Sequence, residues 1–439
     1  MGDLIERLYD YYLSSAGVTT DSRQVKPGDI FFALKGERFD GNRYAQAALD
    51  KGARYAVVDD PSVKTSRDFI LVEDVLVTLQ ALARYHRMQL DIPVLALTGS
   101  NGKTTTKELL RCALEQQYRV HATEGNLNNH IGVPLTLLAM PRDADFAIVE
   151  MGASAPGEIA FLCDIAAPNY GLVTNIGEAH LEGFGSVEGV KAGKGELYDY
   201  LAAHDGVAFF NADEPFLEAL SRRVRHRIGY GSARPEGYEG SFIAVRSVET
   251  AGQVVAKVPE DGWDYRIFSP LTGAHNFENV KTAAAVSKYF RLTFAQIKYG
   301  IETYQPANMR SQYISFGDNR VLLDAYNANP SSMERALRAF VAGTGGQYRV
   351  AVLGDMLELG EFADALHRRV LTLAEGLGFD EIWLVGPLFA GADVEGRARH
   401  FRDVTELRAW LAGKTYSGVS FFVKGSRGMR LEEAFMSAR

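Results

Sequence analysis

A chain of 439 residues, 46% hydrophobic and 23% charged, has the composition of ordinary globular domains with sizeable cores, and its length allows about three of them. The formal net charge of −8 argues against nonspecific nucleic-acid binding, which needs a basic face, so no nucleic-acid partner is expected. No apolar run approaches the ~18 residues of a membrane span, the acidic start MGDLIERLYDYYLSS does not read as a signal peptide, and Cys112 and Cys163 lie outside any C-x-x-C, so a cytoplasmic protein with reduced thiols and no membrane insertion is expected.

Residues 1–87 predict a small α/β domain. Leu4, Ile5, Leu8, Tyr12 and Leu13 give a helical stripe. The Pro27-Gly28-Asp29 turn precedes a strand over 30–34, an Ala-rich helix follows over 44–51, and a second strand covers 55–58. Ser22, Arg23, Lys35, Arg38 and Asn42 gather around two turns and could hold a diphosphate or a uracil, although charged turns are usually just solvated. One helix over 71–90 leads to a domain boundary near residue 88.

From there to about residue 304 strands and helices alternate, which predicts a doubly wound, mostly parallel sheet with ligands at the strands' carboxyl ends. The chain is organised around PVLALTGSNGKTTTKELL, residues 93–110. The apolar run 94–97 reads as a buried strand and Thr106 onward as a helix; Gly99-Ser100-Asn101-Gly102-Lys103-Thr104-Thr105 lies between them. Such a turn aims backbone N–H groups and the positive end of a helix dipole at an anion. Lys103 is placed for the phosphates and the Thr104 hydroxyl for Mg²⁺. Leu97 stands where the strict phosphate-loop pattern has its first glycine, so the loop is a compact version.

Further polar clusters follow apolar runs. Glu150 ends the strand AIVE and suits a Mg²⁺ ligand, or a helix cap; His180 lies just past the strand at 172–177, as a ligand or a structural histidine. The loop around Asn126, Asn128 and Asn129 offers amides for a peptide backbone or an adenine edge, or for Asx turns. Strands are expected at 206–210, 242–247, 254–258 and 265–268, and GAHNFEN then opens an Ala-rich helix with His275 and Asn279 on one face. Residues 305–439 predict a Rossmann-like third domain with strands at 320–324, 348–353, 381–385 and 419–423 and a helix over 362–374.

Taken together, LTGSNGKTTTK, the GNLNN loop, AIVE, NIGEAHLEGFGS followed by Lys194-Gly195-Glu196, GAHNFEN, DAYNANPSSM, VLGDMLELG and VKGSRG closely resemble the Mur ligases, the ATP-dependent amino-acid and peptide ligases of peptidoglycan synthesis. The resemblance spans all three domains and is weakest over 206–265. It implies a UDP-substrate domain, a central ATP-binding domain and a C-terminal ligase domain, over 1–87, 88–304 and 305–439. It implies phosphorylation of a carboxylate by ATP, then attack of an amine on the acyl phosphate. The stretches DSRQVKPGDIFFALKGERFDG, AHLEGFGS and GDMLELG point to a ligase that adds D-alanyl-D-alanine to UDP-N-acetylmuramoyl-tripeptide; one that adds D-Glu, L-Lys or meso-diaminopimelate is the alternative.

By the same resemblance Gly102, Lys103 and Thr104 hold the phosphates, with Thr104 on Mg²⁺. Glu150 bridges two Mg²⁺ ions, His180 ligates the second, and Lys194 matches a carbamylated lysine. Asn276 and Asn279 match adenine contacts, and Arg310 and Asp324 match nucleotide contacts of the C-terminal domain. Ser22, Arg23, Lys35 and Gly36 match the UDP end, while Asn126, Asn128, Asn129 and Asn327 match the peptide side. A monomer whose domains close on ATP is expected. A phosphate-loop ATPase that makes no bond is the reading from another class.

Overall fold

The computed structural model describes residues 2–436 apart from 38, 249, 251–252, 261, 307–308, 394–395 and 397. Arg38 therefore lies outside the described residues. Among these, no helix is long and apolar enough to cross a membrane.

Four parallel strands come first, in the spatial order Val18–Thr19, Ile30–Phe32, Tyr55–Val58, Phe69–Leu71. The strand expected over 30–34 stops at Phe32, because Lys35–Gly36 turns out to pair with Phe39–Asp40 as a small hairpin. The helix expected over 71–90 is shorter at its start and runs Val75–Met88: the Asp74 carboxylate accepts from Val77 N and fixes the first turn, while Phe69–Leu71 joins the sheet.

The central sheet has seven strands, all paired in parallel. Val94–Thr98, buried at all five positions, lies between Phe146–Glu150 and Tyr170–Val173. The chain first winds outward to Val120–Ala122, returns to Phe146–Glu150, and then crosses to Tyr170–Val173 on the other side. The order of strands thus reverses at Val94–Thr98, which opens a crevice at the carboxyl end of that strand. The strand expected over 242–247 is two: Ser241–Ala244 extends the parallel sheet, and Arg246–Val248 starts a three-stranded antiparallel sheet with Gln253–Glu260 and Trp263–Thr272. His226–Gly231 is a further parallel strand that the sequence reading did not foresee.

The helix Ala274–Tyr289 is buried nearly all round and packs on the helix Lys103–Leu114. Its small residues Ala283, Ala284 and Ala285 are all buried. The C-terminal sheet has the order Gln312–Phe316, Asn319–Leu323, Val419–Lys424, Tyr348–Gly354, Glu381–Val385, Arg399–Phe401. Only its first pair is antiparallel.

Candidate active site

A cleft of about 910 Å³ runs between the phosphate loop and the carboxyl ends of the C-terminal strands. The loop's shape depends on two glycines. Gly99, at φ +142°, sits where a Cβ would stand 2.0 Å from Thr174 Oγ1. Gly102, at φ +79°, is the N-cap of the helix Lys103–Leu114, and a Cβ there would stand 2.3 Å from Asn279 Oδ1. Its left-handed turn starts the helix three residues earlier than Thr106 and aims the helix N-terminus into the crevice. Lys103 curls back, its Nζ donating to Gly99 O at 2.7 Å. Burial lowers its pKa, nearby Glu150 opposes that shift, and Arg310 adds to it.

Glu150 is 2% exposed. Its Oε2 accepts from Thr104 Oγ1 at 2.9 Å and its Oε1 from Asn128 Nδ2 at 2.8 Å. The Asn128 backbone is tied to the same strand end, Gly152 N donating to Asn128 O at 2.7 Å. Asn129 serves the Asx role instead: its Oδ1 accepts from Ile131 N and Gly132 N at the start of the helix Gly132–Leu138. Asn126 and Thr105 line the cleft.

His180 also lines the cleft, but its Nδ1 lies 2.5 Å from Glu358 Oε2, across from the C-terminal sheet. Lys194 is 1% exposed and stands behind the cleft wall; its Nζ donates to Ala153 O at 2.9 Å. Burial, reinforced by Lys103, lowers its pKa to about 7. Thr104 and Glu150 are thus brought into contact, whereas His180 and Lys194 are each held by other groups. Among the described residues no three His, Cys, Asp or Glu side chains form a metal-binding cluster.

Asn276 and Asn279 extend the loop's support. Asn279 Nδ2 donates to Asn276 Oδ1 at 3.0 Å, and Asn279 Oδ1 accepts from Thr106 Oγ1 at 3.1 Å. Beside them His275 is held neutral by burial, its pKa lowered to about 4. Across the cleft the Arg310 guanidinium stacks on Tyr326 at 3.8 Å, and its buried Nε has no hydrogen-bond partner among the described residues. Asp324 pairs with Lys424 at 2.5 Å and accepts from Ser311 N at 3.1 Å. Asn327 lines the same wall, its carbonyl accepting from Lys424 Nζ at 3.0 Å.

The residues expected at the UDP end do not line this cleft. Arg23 pairs with Asp21, Lys35 with Asp59 at 2.8 Å, the Ser22 carbonyl accepts from Lys51 Nζ at 2.9 Å, and Gly36 sits on the exposed hairpin. Sequence reasoning missed Asn175, which holds both the backbone N–H and the carbonyl of Asn101, each at 3.0 Å. It also missed Glu358, Asn329 and Ser331. DAYNANPSSM carried a usable signal for Asn329, since Asn before Pro marks a helix start.

Three models of the Mur ligase family match the chain: "Mur ligase family, catalytic domain" over 15–87, "Mur ligase middle domain" over 97–287, and "Mur ligase, glutamate ligase domain" over 309–427. The chain is 35% identical to the UDP-N-acetylmuramoyl-tripeptide–D-alanyl-D-alanine ligase of Bacillus subtilis (strain 168), over 95% of this chain and 92% of that one. It is 37% identical to the protein of the same name from Escherichia coli (strain K12), again over 95% and 92%. Its structure matches that of MurF from Thermotoga maritima in complex with ADP with a TM-score of 0.83, at 27% identity and over 96% of each chain.

Proposed function

The chain belongs to the Mur ligase family, and on that premise we propose that it joins D-alanyl-D-alanine to UDP-N-acetylmuramoyl-tripeptide, converting ATP to ADP and phosphate. The observation that carries the reading is the Thr104–Glu150 contact at the phosphate loop, in a cleft whose far wall brings Lys424 from the C-terminal sheet and Arg310 from the segment just before it. A phosphate-loop ATPase needs only the first wall; a ligase needs a second, where an acceptor can sit.

The γ-phosphoryl group passes from ATP to the terminal carboxylate of the tripeptide, giving an acyl phosphate and ADP. The amine of D-alanyl-D-alanine attacks the acyl carbon, and the tetrahedral intermediate expels phosphate to leave an amide. Such transfers need positioning and charge neutralisation more than covalent help. The loop's N–H groups bind the phosphates, and Lys103 exchanges Gly99 O for a phosphate oxygen. Arg310, with an unmet buried donor, faces the same charge. Enclosure between the two walls keeps water from the acyl phosphate.

Mg²⁺ fits Thr104 and Glu150: both offer hard oxygen donors, and no ion pair neutralises this buried carboxylate among the described residues. An ion held by these two residues would supply neutralisation of charge on the transferring phosphoryl group. A second ion, expected at His180 and Lys194, does not fit this arrangement, since His180 faces Glu358 and Lys194 bonds Ala153 O, and no step is placed on it. Carbamylation of Lys194 adds CO₂ to its amine and turns a cation into an anion, and a pKa of about 7 supports it, since a neutral amine is what reacts.

Phosphate release tests the function, measured from ATP and Mg²⁺ with UDP-N-acetylmuramoyl-tripeptide, with and without D-alanyl-D-alanine, while product mass is followed. Release that requires the dipeptide, with a mass gain of one dipeptide, is expected. Release with a single amino acid on a shorter UDP precursor would move the assignment within the family. Release without any acceptor would overturn the ligase reading.

A further inference from the structure

The phosphate loop is gripped from two sides. On its own sheet, the Asn101 N–H donates to Asn175 Oδ1 at 3.0 Å, and its carbonyl accepts from Thr174 Oγ1 at 2.7 Å and Asn175 Nδ2 at 3.0 Å. The Asn101 side chain turns the other way, toward the helix Pro330–Gly343. Asn329 Nδ2 donates to Asn101 Oδ1 at 2.8 Å, Asn101 Nδ2 donates to Ser331 Oγ at 3.0 Å, and Ser331 Oγ donates to Asn329 Oδ1 at 3.0 Å. Three side chains close a ring of three hydrogen bonds, each made to a different acceptor. Both ends of the Asn101 amide are read, so neither an acid nor an apolar residue satisfies the ring unchanged.

The ring sits in a shaped seat. Asn329 is 6% exposed and also caps the Pro330–Gly343 helix, its Oδ1 accepting from Ser332 N at 2.9 Å. Below it is Gly177, where a Cβ would stand 2.9 Å from Ser331 Oγ and 3.6 Å from Asn101 Nδ2. The Gly177 N–H and carbonyl both bond Ser100 Oγ, at 2.9 and 3.1 Å. The end of one central strand, the phosphate loop and the first turn of a C-terminal helix therefore share one hydrogen-bond network. Polar side chains saturated in this way hold one geometry.

We propose that Asn329 and Ser331 are positioning residues for the phosphate loop: by fixing Asn101 they let the loop take its anion-cradling shape only while the C-terminal helix is docked on it. Their contacts run to Asn101 and to the first turn of their own helix. Linkage then requires that nucleotide in the loop strengthen the docking by the same factor by which docking strengthens nucleotide binding. The proposal rests on the loop binding nucleotide, and not on which peptide is joined.

Titration calorimetry with ADP on the full chain tests it, using N101A, S331A, the double variant, S331T and G177A. S331A leaves the helix cap intact, and G177A keeps every ring group while its Cβ pushes Ser331 aside. N101A, S331A and G177A should each bind ADP about three- to tenfold more weakly, the effect of roughly one lost hydrogen bond. The double variant should bind no more weakly than the weaker single one, because the ring acts as a unit. S331T, which keeps the hydroxyl, should recover most of the affinity; a merely structural role gives neither this rescue nor the non-additivity. Additive losses, or wild-type affinity in both S331A and G177A, would overturn the proposal alone. A wild-type chain that binds no ADP would overturn it together with the ligase reading.

Discussion

Replacing Lys194 by methionine should stabilise the chain at neutral pH, and the gain should fade in alkali. Lys194 is 1% exposed, its Nζ has one acceptor among the described residues, Ala153 O, and the Phe184 ring lies 5.2 Å away. An ammonium has three donors, so the charged form is poorly served here. Burial, with Lys103 nearby, takes the pKa from 10.5 to about 7. Between those values the unfolded chain carries a proton that the folded chain lacks. Folding stability contributed by this group therefore rises with pH across the window, by up to about 1.4 kcal/mol per pH unit. The penalty is fully present below about 7 and gone above 10.5. At 1.36 kcal/mol per decade the whole difference is about 5 kcal/mol, an upper bound because the buried site and the unfolded chain both relax. Urea unfolding of wild type and K194M, in CO₂-free buffer at about pH 6.5, 8 and 9.5, measures it. The gap between the two should be several kcal/mol at the lowest pH and shrink at each step. A gap that stays constant across the series would refute the burial argument. Bicarbonate should stabilise wild type and leave K194M unmoved, with one CO₂ added to the wild-type mass.

Three further outcomes follow from the geometry. Gly102→Ala puts a Cβ 2.3 Å from Asn279 Oδ1 in a left-handed turn; ADP affinity should fall about 10- to 100-fold, as the strained turn and the Asn279 bonds together cost roughly 2 kcal/mol, and unchanged calorimetry would count against the cradle. Glu150→Gln keeps size and the Thr104 contact but removes the charge; Mg²⁺-dependent phosphate release should drop about 100-fold or more, while the unfolding temperature holds or rises because a buried unpaired charge is gone. Asp355→Ala acts elsewhere: this carboxylate accepts from Leu388 N and Phe389 N at 3.0 and 2.9 Å, so its loss should cost about 1–3 kcal/mol in thermal unfolding with kcat preserved below the transition.

What the sequence made legible was set by short-range physics. The phosphate loop could be read because an apolar run, glycines that only a left-handed turn needs, and a helix start occur within a dozen residues. The parallel character of the sheet followed from alternating strand and helix patterns. Residues 241–248 misled for a local reason too: one continuous β-prone run serves two sheets, and nothing within it marks Val245 as the corner. Lys35 illustrates the opposite limit. A basic residue at a turn looked free, but Asp59, paired with it at 2.8 Å, is carried in by a separate strand. Lys194 had no signal at all beyond the family resemblance, because a helical lysine shows its burial only when its neighbours are known.

The contact between the two walls of the cleft was beyond any local pattern. AHLEGFGS and GDMLELG each stood out by resemblance, without a stated relation between them. In the structure they meet: His180 Nδ1 faces Glu358 Oε2 at 2.5 Å, Glu178 pairs with Arg369, and a Cβ on Gly360 would stand 3.3 Å from Glu182 Cβ. His180 and Glu358 both hold positive φ, 53° and 65°, without being glycine. That conformation costs about 1–2 kcal/mol for an L-residue, and such strain persists where the surroundings over-determine it. Here each strained residue is met by the other, and His180 is held locally as well, its carbonyl accepting from Gly183 N and Phe184 N at the start of the helix Leu181–Phe184. Strain at this contact is offset by the bonds that surround it, those of Asn101 to Asn329 and Ser331 among them.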